Sequence, residues 1–238
     1  MKAVILAGGR GTRLRPYTKI LPKPLMPIGD MPILEIILRQ MKQADVTDAI
    51  LTVGHLAEYL RLFFQDGQRV GLNISYSYEG KPLGTAGPLT LVKGLDETFL
   101  VSNGDVLTTM DMAALISFHR QNGAVATIAM HHRQVKIDLG VIQLNGSHEV
   151  EGYLEKPTYD YMVSMGIYVF EPEVLAYIPS NSYFDFPDLV HKLLAEGQKV
   201  VGFPFDGYWQ DLGRADDYEQ AIRDFDRMRA EFLPGEAG

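Results

Sequence analysis

The sequence predicts a three-layer α/β sandwich built on a mixed, mostly parallel central sheet. Two observations predict it. Short, continuous apolar runs alternate with helix-like segments through the first half of the chain, the pattern of a parallel sheet with helices on both faces. Two of those runs end on polar loops, after Ala7 and after Ser102, and open α/β sheets hold their ligands at such carboxyl ends.

Ala3-Val-Ile-Leu-Ala7 is short, continuous and apolar, so it reads as a buried strand. A loop follows, stiffened by Pro16, Pro22, Pro24 and Pro27. Pro32 opens a helix, where proline at the first position costs little. In that helix Ile33, Ile37 and Met41 share a face, with Leu34, Ile36 and Leu38 beside them. Residues 49–53 form a second buried strand, and residues 56–64 a helix. Leu72, Ile74, Tyr76 and Tyr78 alternate, which predicts a half-buried strand. Thr85 is expected to cap a short helix running to residue 95. Residues 99–102 form a buried strand ending at Asn103-Gly-Asp105, and Asp111 caps a helix over residues 112–121. The second half is richer in strand, with candidates at residues 124–130, 140–144, 150–154 and 164–170. Helices are expected near residues 172–177, 186–196 and 215–228, and a frayed tail over residues 234–238. No linker divides the chain. It is expected to be one domain over residues 1–238, in two halves of about residues 1–122 and 123–230.

Composition excludes several classes of chemistry. The 238 residues include no cysteine, so there is no disulfide, thiolate metal site or cysteine nucleophile. The first apolar run is too short for a signal peptide, and no stretch approaches the ~18 apolar residues of a membrane span. A cytoplasmic protein is expected. The net charge of -8 argues against general nucleic-acid binding. The six histidines show no metal-ligand spacing, and His131-His132-Arg133 reads as a polar strand end.

Against that acidic background the first 28 residues stand apart. They carry Lys2, Arg10, Arg13, Arg15, Lys19 and Lys23 and no acid. Gly8, Gly9 and Gly11 let the backbone approach a ligand, and exposed N–H groups can cradle phosphate oxygens. A Walker loop is excluded by the lack of Gly-Lys. A dinucleotide fingerprint is excluded by Leu14 at the third glycine position. That substitution disfavours a nicotinamide-dependent oxidoreductase. Arg13 and Lys23 supply fixed positive charge for a triphosphate. Asp105 ends a buried strand, and Asp211 precedes Gly213. Two carboxylates suit Mg²⁺, which prefers oxygen ligands and keeps waters and substrate phosphates.

The stretch Gly8-Gly-Arg-Gly-Thr-Arg-Leu-Arg-Pro-Tyr-Thr18, followed by Leu21-Pro-Lys-Pro-Leu-Met-Pro-Ile28, resembles the signature of the sugar-1-phosphate nucleotidylyltransferases. Leu83-Gly-Thr-Ala-Gly-Pro-Leu89, Asn103-Gly-Asp105, Glu155-Lys-Pro157 and Trp209-Gln-Asp-Leu-Gly213 continue the resemblance in the family's order over nearly the whole chain. It implies a Rossmann-like fold, and an enzyme that makes an NDP-sugar and pyrophosphate from an NTP and a sugar 1-phosphate. Leu6, Ala7, Gly8, Gly9, Gly11, Thr12, Arg13, Glu79, Gly84 and Thr85 would then bind the nucleotide. Asn103, Gly140, Glu155, Lys156 and Ser164 would bind the sugar phosphate. Arg13, Lys23 and Asp105 would be catalytic, with one Mg²⁺ on Asp105 and Asp211.

Two departures from the family pattern touch the sugar pocket. Ser164-Met165-Gly166 stands where Asn-Ala-Gly is common, and Leu139 where Tyr or Phe is common. For the base, Glu79 only accepts hydrogen bonds. Guanine presents two adjacent donors, N1–H and the 2-amino group, whereas uracil and thymine present one. The segment from Glu79 to Leu89 also looks most like the GDP-mannose-forming branch. GTP with a mannose- or heptose-type 1-phosphate is therefore expected, with UTP or dTTP and a glucose-type or amino-sugar phosphate as the alternative. Glu79 could instead pair with Lys81. A non-catalytic sugar-nucleotide sensor on the same fold is a further alternative, disfavoured by the presence of Asp105, Asp211, Arg13 and Lys23. No hexapeptide-repeat tail follows the last helix, so one activity is expected, in a chain for which a homodimer is the commonest soluble assembly.

Overall fold

The computed structural model describes residues 1–235, and the last three residues of the expected tail lie outside them. In chain order the elements are β1 (Lys2–Leu6), β2 (Pro27–Ile28), β3 (Met31–Pro32), α1 (Ile33–Gln43), β4 (Asp48–Val53), α2 (Ala57–Phe64), β5 (Asn73–Tyr78) and β6 (Phe99–Asn103). Then come β7 (Val106–Thr108), α3 (Met112–Asn122), β8 (Ala126–Lys136), β9 (Val141–Leu144), β10 (Val150–Leu154), β11 (Thr158–Phe170), α4 (Phe186–Ala195), β12 (Val200–Phe205), β13 (Trp209–Asp211) and α5 (Ala215–Phe232).

Seven strands form the main sheet, in the order β12-β8-β11-β6-β1-β4-β5. The strands from β6 to β5 run parallel, as do β12 and β8. β11 alone runs against its neighbours β6 and β8. The sheet is therefore mixed and mostly parallel, as expected. It draws strands from both halves of the chain.

Alternation along β1 divides the core. Ala3 and Ile5 join a cluster with residues of α1, α2, α3 and α5, including Ile37, Leu60, Leu115 and Phe225. Val4 joins a second cluster on the other face, with Phe99, Phe170 and the α4 residues Phe186, Leu189 and Leu193. A strand points successive side chains to opposite faces, so a run apolar at every position is a strand covered on both. This is why residues 3–7 read so plainly in the sequence.

Some elements differ from expectation. Thr85 caps no α-helix. A short 3₁₀ turn, Gly87–Leu91, stands there, and the Thr85 side chain is bound elsewhere. Residues 172–177 are likewise 3₁₀. Pro32 sits at the cap of α1, one residue before the first helical position. Strands β7, β12 and β13 fall outside the expected elements. β7 and β13 are three residues long and pair only with each other, too short to leave a periodic trace. Pro234 is tied by Gln43 Nε2 at 2.8 Å. Among the described residues no helix is long and apolar enough to cross a membrane.

The expected cap on α3 is present. Asp111 Oδ1 accepts from Ala113 N at 2.8 Å. Asp111→Ala should cost about 1 kcal/mol of stability, measured by denaturant unfolding, with no change in chemistry at the distant site.

Candidate active site

Three parallel strands deliver the site. β1 ends at Leu6, β4 at Val53 and β6 at Asn103, in register along the sheet. Two adjoining cavities open beyond these ends. The smaller, about 230 Å³, is lined by the Gly9–Leu14 loop with Lys23, Pro24, Asp105 and Gly213. The larger, about 600 Å³, is lined by Gly8, Arg10, His55, Glu79, Gly84, Thr85, Asn103 and Tyr183 among others. Leu6, Gly9 and Asp105 line both.

The glycine-arginine loop coils through short 3₁₀ turns. Gly11 alone of the three glycines takes a positive φ, +55°. Gly8 serves by close approach: a Cβ there would lie 2.5 Å from Glu79 Oε1. Thr18 Oγ1 donates to Gly11 O at 2.7 Å, closing the loop on itself. Arg13 is left exposed at its rim.

The smaller cavity holds the charges. Strand β13 pairs antiparallel with β7, with Asp211 opposite Val106, and Leu212 N donates to Asp105 O at 3.2 Å. Asp105 and Asp211, 106 positions apart in the chain, thus lie side by side. Lys23, almost fully buried, donates to Asp105 Oδ2. A Cβ on Gly213 would meet both Arg13 Nη1, at 3.0 Å, and Asp211 Oδ2, at 3.2 Å. Burial pushes the Asp211 carboxyl above the usual carboxylate range, the Asp105 charge adds to that, and Lys23 and Arg13 oppose it.

The structure therefore gathers Arg13, Lys23, Asp105 and Asp211 into one cluster. Among the described residues no group of three or more His, Asp or Glu forms a metal cage. Two carboxylates lying side by side nevertheless fit a divalent ion, with water and substrate oxygens completing its shell. Such an ion would oppose both the burial and the Asp105 charge that lift Asp211.

The larger cavity has a different character. Glu79 Oε2 accepts from Leu83 N at 3.3 Å. Burial raises its pKa, and the Leu83 N–H partly offsets this. No ion pair between Glu79 and Lys81 occurs among the described residues, and Glu79 is part of the cavity lining. Thr85 lines the wall, but its donors are engaged: N–H and Oγ1 both give to Asp185 Oδ1, at 2.8 and 3.0 Å.

The sugar-phosphate candidates divide into two groups. Asn103 lines the larger cavity and packs against Gly166. Ser164 Oγ lies 3.1 Å from Tyr168 Oη and accepts from Gly166 N at 3.3 Å. Gly140, Glu155 and Lys156 sit apart, on or beside the β9–β10 hairpin, and line neither cavity. A Cβ on Gly140 would strike the Tyr153 ring, and Tyr153 Oη donates to Glu155 Oε2 at 3.2 Å. Lys156 lies 3.8 Å from Glu155, with both side chains exposed. Leu139 is exposed, whereas Met165 is buried and its carbonyl accepts from Trp209 Nε1.

Sequence reasoning missed the 183–185 segment. Tyr183 lines the larger cavity and Asp185 grips Thr85. The available signal, Asp185-Phe-Pro-Asp188, marks a helix start. It does not reveal that the helix start abuts a loop 100 residues earlier.

The chain is similar to known proteins over most of its length. The nucleotidyl transferase family model matches residues 2–227. A UTP–glucose-1-phosphate uridylyltransferase of Synechocystis sp. is 38% identical, over 94% of this chain and 63% of its own length. A mannose-1-phosphate guanylyltransferase of Mycobacterium tuberculosis is 35% identical, over 94% of this chain and 64% of its own. The chain thus spans a little under two thirds of these relatives. A solved structure from Bacillus anthracis, assigned as a glucose-1-phosphate thymidylyltransferase, superposes with a TM-score of 0.75 at 26% identity, covering 94% of each chain.

Proposed function

The chain belongs to the nucleotidyl transferase family, and on that premise we propose that it joins an NTP to a sugar 1-phosphate, releasing pyrophosphate. One observation carries this reading: Arg13, Lys23 and Asp105, with Asp211 close beside them, gather at a cavity that adjoins a second one large enough for a nucleoside.

In this reaction a phosphate oxygen of the sugar 1-phosphate attacks the α-phosphorus of the NTP. One P–O bond forms, the bond to the β-phosphate oxygen breaks, and pyrophosphate leaves with that electron pair. No side-chain nucleophile is required, because the attacking group is already an anion. The protein brings two anions together and screens their repulsion. The Gly9–Leu14 loop faces the triphosphate, and Arg13 takes up charge growing on the departing pyrophosphate. Lys23 neutralises Asp105 and reaches the same cavity. Asp105 and Asp211 would hold Mg²⁺, which when bound polarises the phosphoryl oxygens. Asn103 and Ser164 flank the sugar side, and Glu155 and Lys156, outside both cavities, would reach the sugar phosphate only by movement of the hairpin. Substrates of this kind, and a chain without cysteine, suit the reducing cytoplasm.

For the base we favour guanine, because the Glu79 carboxylate is an acceptor-only group at the wall of the larger cavity. A mannose- or heptose-type 1-phosphate is the matching partner, supported by the Mycobacterium tuberculosis relative. The second reading, UTP with a glucose-type phosphate, is favoured by the Synechocystis relative.

Pyrophosphate release from four NTPs against several sugar 1-phosphates separates them. GTP should be preferred, and Glu79→Gln should erode that preference about tenfold to a hundredfold, as for loss of one good two-point base contact. Acidification should act in the same direction. A carboxyl with a raised pKa gains its proton earlier as pH falls and then no longer accepts at both oxygens. A wild-type preference for UTP or dTTP would overturn the guanine reading.

A further inference from the structure

The wall of the larger cavity formed by Gly84 and Thr85 does not stand alone. Asp185 Oδ1 accepts from Thr85 N at 2.8 Å and from Thr85 Oγ1 at 3.0 Å. The same hydroxyl accepts from Phe186 N at 2.9 Å. Phe184 O accepts from Ala86 N and Gly87 N, both at 2.9 Å, and Phe184 N donates to Leu83 O at 2.9 Å. Six hydrogen bonds therefore join two segments about 100 residues apart. Gly84 lies in the left-handed region, φ +81°, and a Cβ there would stand 2.6 Å from Phe184 O. The two segments press together at the cavity edge, with no room for a side chain between them.

The bonding has a consequence for recognition. Leu83 N is spent on Glu79, and the N–H groups of residues 85–87 are spent on the 184–185 segment. Among the described residues the Gly84 N–H donates to nothing. It remains as the open donor on that wall, held in place by its neighbours. The Tyr183 phenol faces the Asp185 carboxylate and lines the same cavity.

We propose that Asp185 is a positioning residue: it fixes the Gly84–Thr85 backbone at the edge of the nucleoside cavity and so sets affinity for the NTP. This rests on the reading of that cavity as the nucleoside site. Asp185 also belongs to the capping box of α4, where Asp185 N donates to Asp188 Oδ2 at 3.1 Å. A purely structural role must therefore be separated from the positioning one.

Steady-state kinetics of Asp185→Ala, Asp185→Asn, Asp188→Ala and Thr85→Val, each with a thermal melt, makes the separation. Asp185→Ala should raise KM for the NTP about tenfold, the scale of losing hydrogen bonds to a charged group, and leave KM for the sugar 1-phosphate unchanged. Asp185→Asn keeps an acceptor and should retain most of the affinity. Asp188→Ala breaks the other half of the capping box and should lower the melting temperature without changing KM for the NTP. Thr85→Val should follow Asp185→Ala in direction, and it keeps the test alive if Asp185→Ala fails to fold. An unchanged KM for the NTP in Asp185→Ala, or an equal rise in Asp188→Ala, overturns the proposal while the enzymatic reading stands. A wild-type protein that turns over no NTP with any sugar 1-phosphate overturns both.

Discussion

Replacing Arg13 with methionine is expected to lower turnover about a hundredfold to a thousandfold, the range found when one preorganised charge partner of a transition state is removed. The fold should survive. Arg13 is exposed at the cavity rim, and its guanidinium lies beside Gly213 rather than packing into the core. The loss should fall mainly on kcat, because charge on the pyrophosphate grows as the bond breaks. Lys23→Met should act in the same direction with an added loss of stability. Separating a fully buried ion pair costs about 3–5 kcal/mol. The cost here is smaller, because the Asp105 side chain is 27% exposed. Circular dichroism and a denaturant titration beside the kinetics distinguish the two effects. Near-wild-type turnover in Arg13→Met would remove it from the chemistry.

Part of this site is legible in the amino-acid sequence alone. The apolar run over residues 3–7 marks strand β1, covered on both faces, and the loop after it crowds cations around glycines, so strand, loop and the expected anion preference all follow from adjacent residues. The meeting of Asp105 and Asp211 is legible only as a matched set of motifs. Their proximity depends on the β7–β13 pairing, three residues per strand, which no periodicity announces. Thr85 shows the opposite failure. A threonine before a turn satisfies the local rule for a helix cap, but its hydroxyl is taken by Asp185, a partner that sequence distance hides. Glu155 and Lys156 match their motif, yet in the structure they pair with each other on an exposed hairpin, outside both cavities.

The second large effect concerns the carboxylates. Asp105→Asn and Asp211→Asn should each lower Mg²⁺-dependent pyrophosphate release by at least about a hundredfold, on the same electrostatic grounds. Stability should respond differently. The Asp211 carboxyl is raised in the fold by burial and by Asp105, so its ionisation is harder in the folded chain than in the unfolded one. Its contribution to stability therefore falls as pH rises from its ordinary range through the raised one. In metal-free buffer near neutral pH, Asp211→Asn should melt no lower than wild type. Added Mg²⁺ should raise the wild-type melting temperature, by about 2.7 kcal/mol of stabilisation at a hundred times its Kd, and should leave Asp211→Asn unmoved. Equal shifts in both proteins would place the ion elsewhere.

These expectations meet in one reaction. The purified protein, supplied with Mg²⁺, an NTP and a sugar 1-phosphate, should release pyrophosphate and form NDP-sugar in equal amounts. Neither product should appear when the sugar 1-phosphate is omitted. Pyrophosphate formed without it, or no NDP-sugar from any pairing of NTP and sugar 1-phosphate, would contradict nucleotidyl transfer to a sugar phosphate as the function of this site.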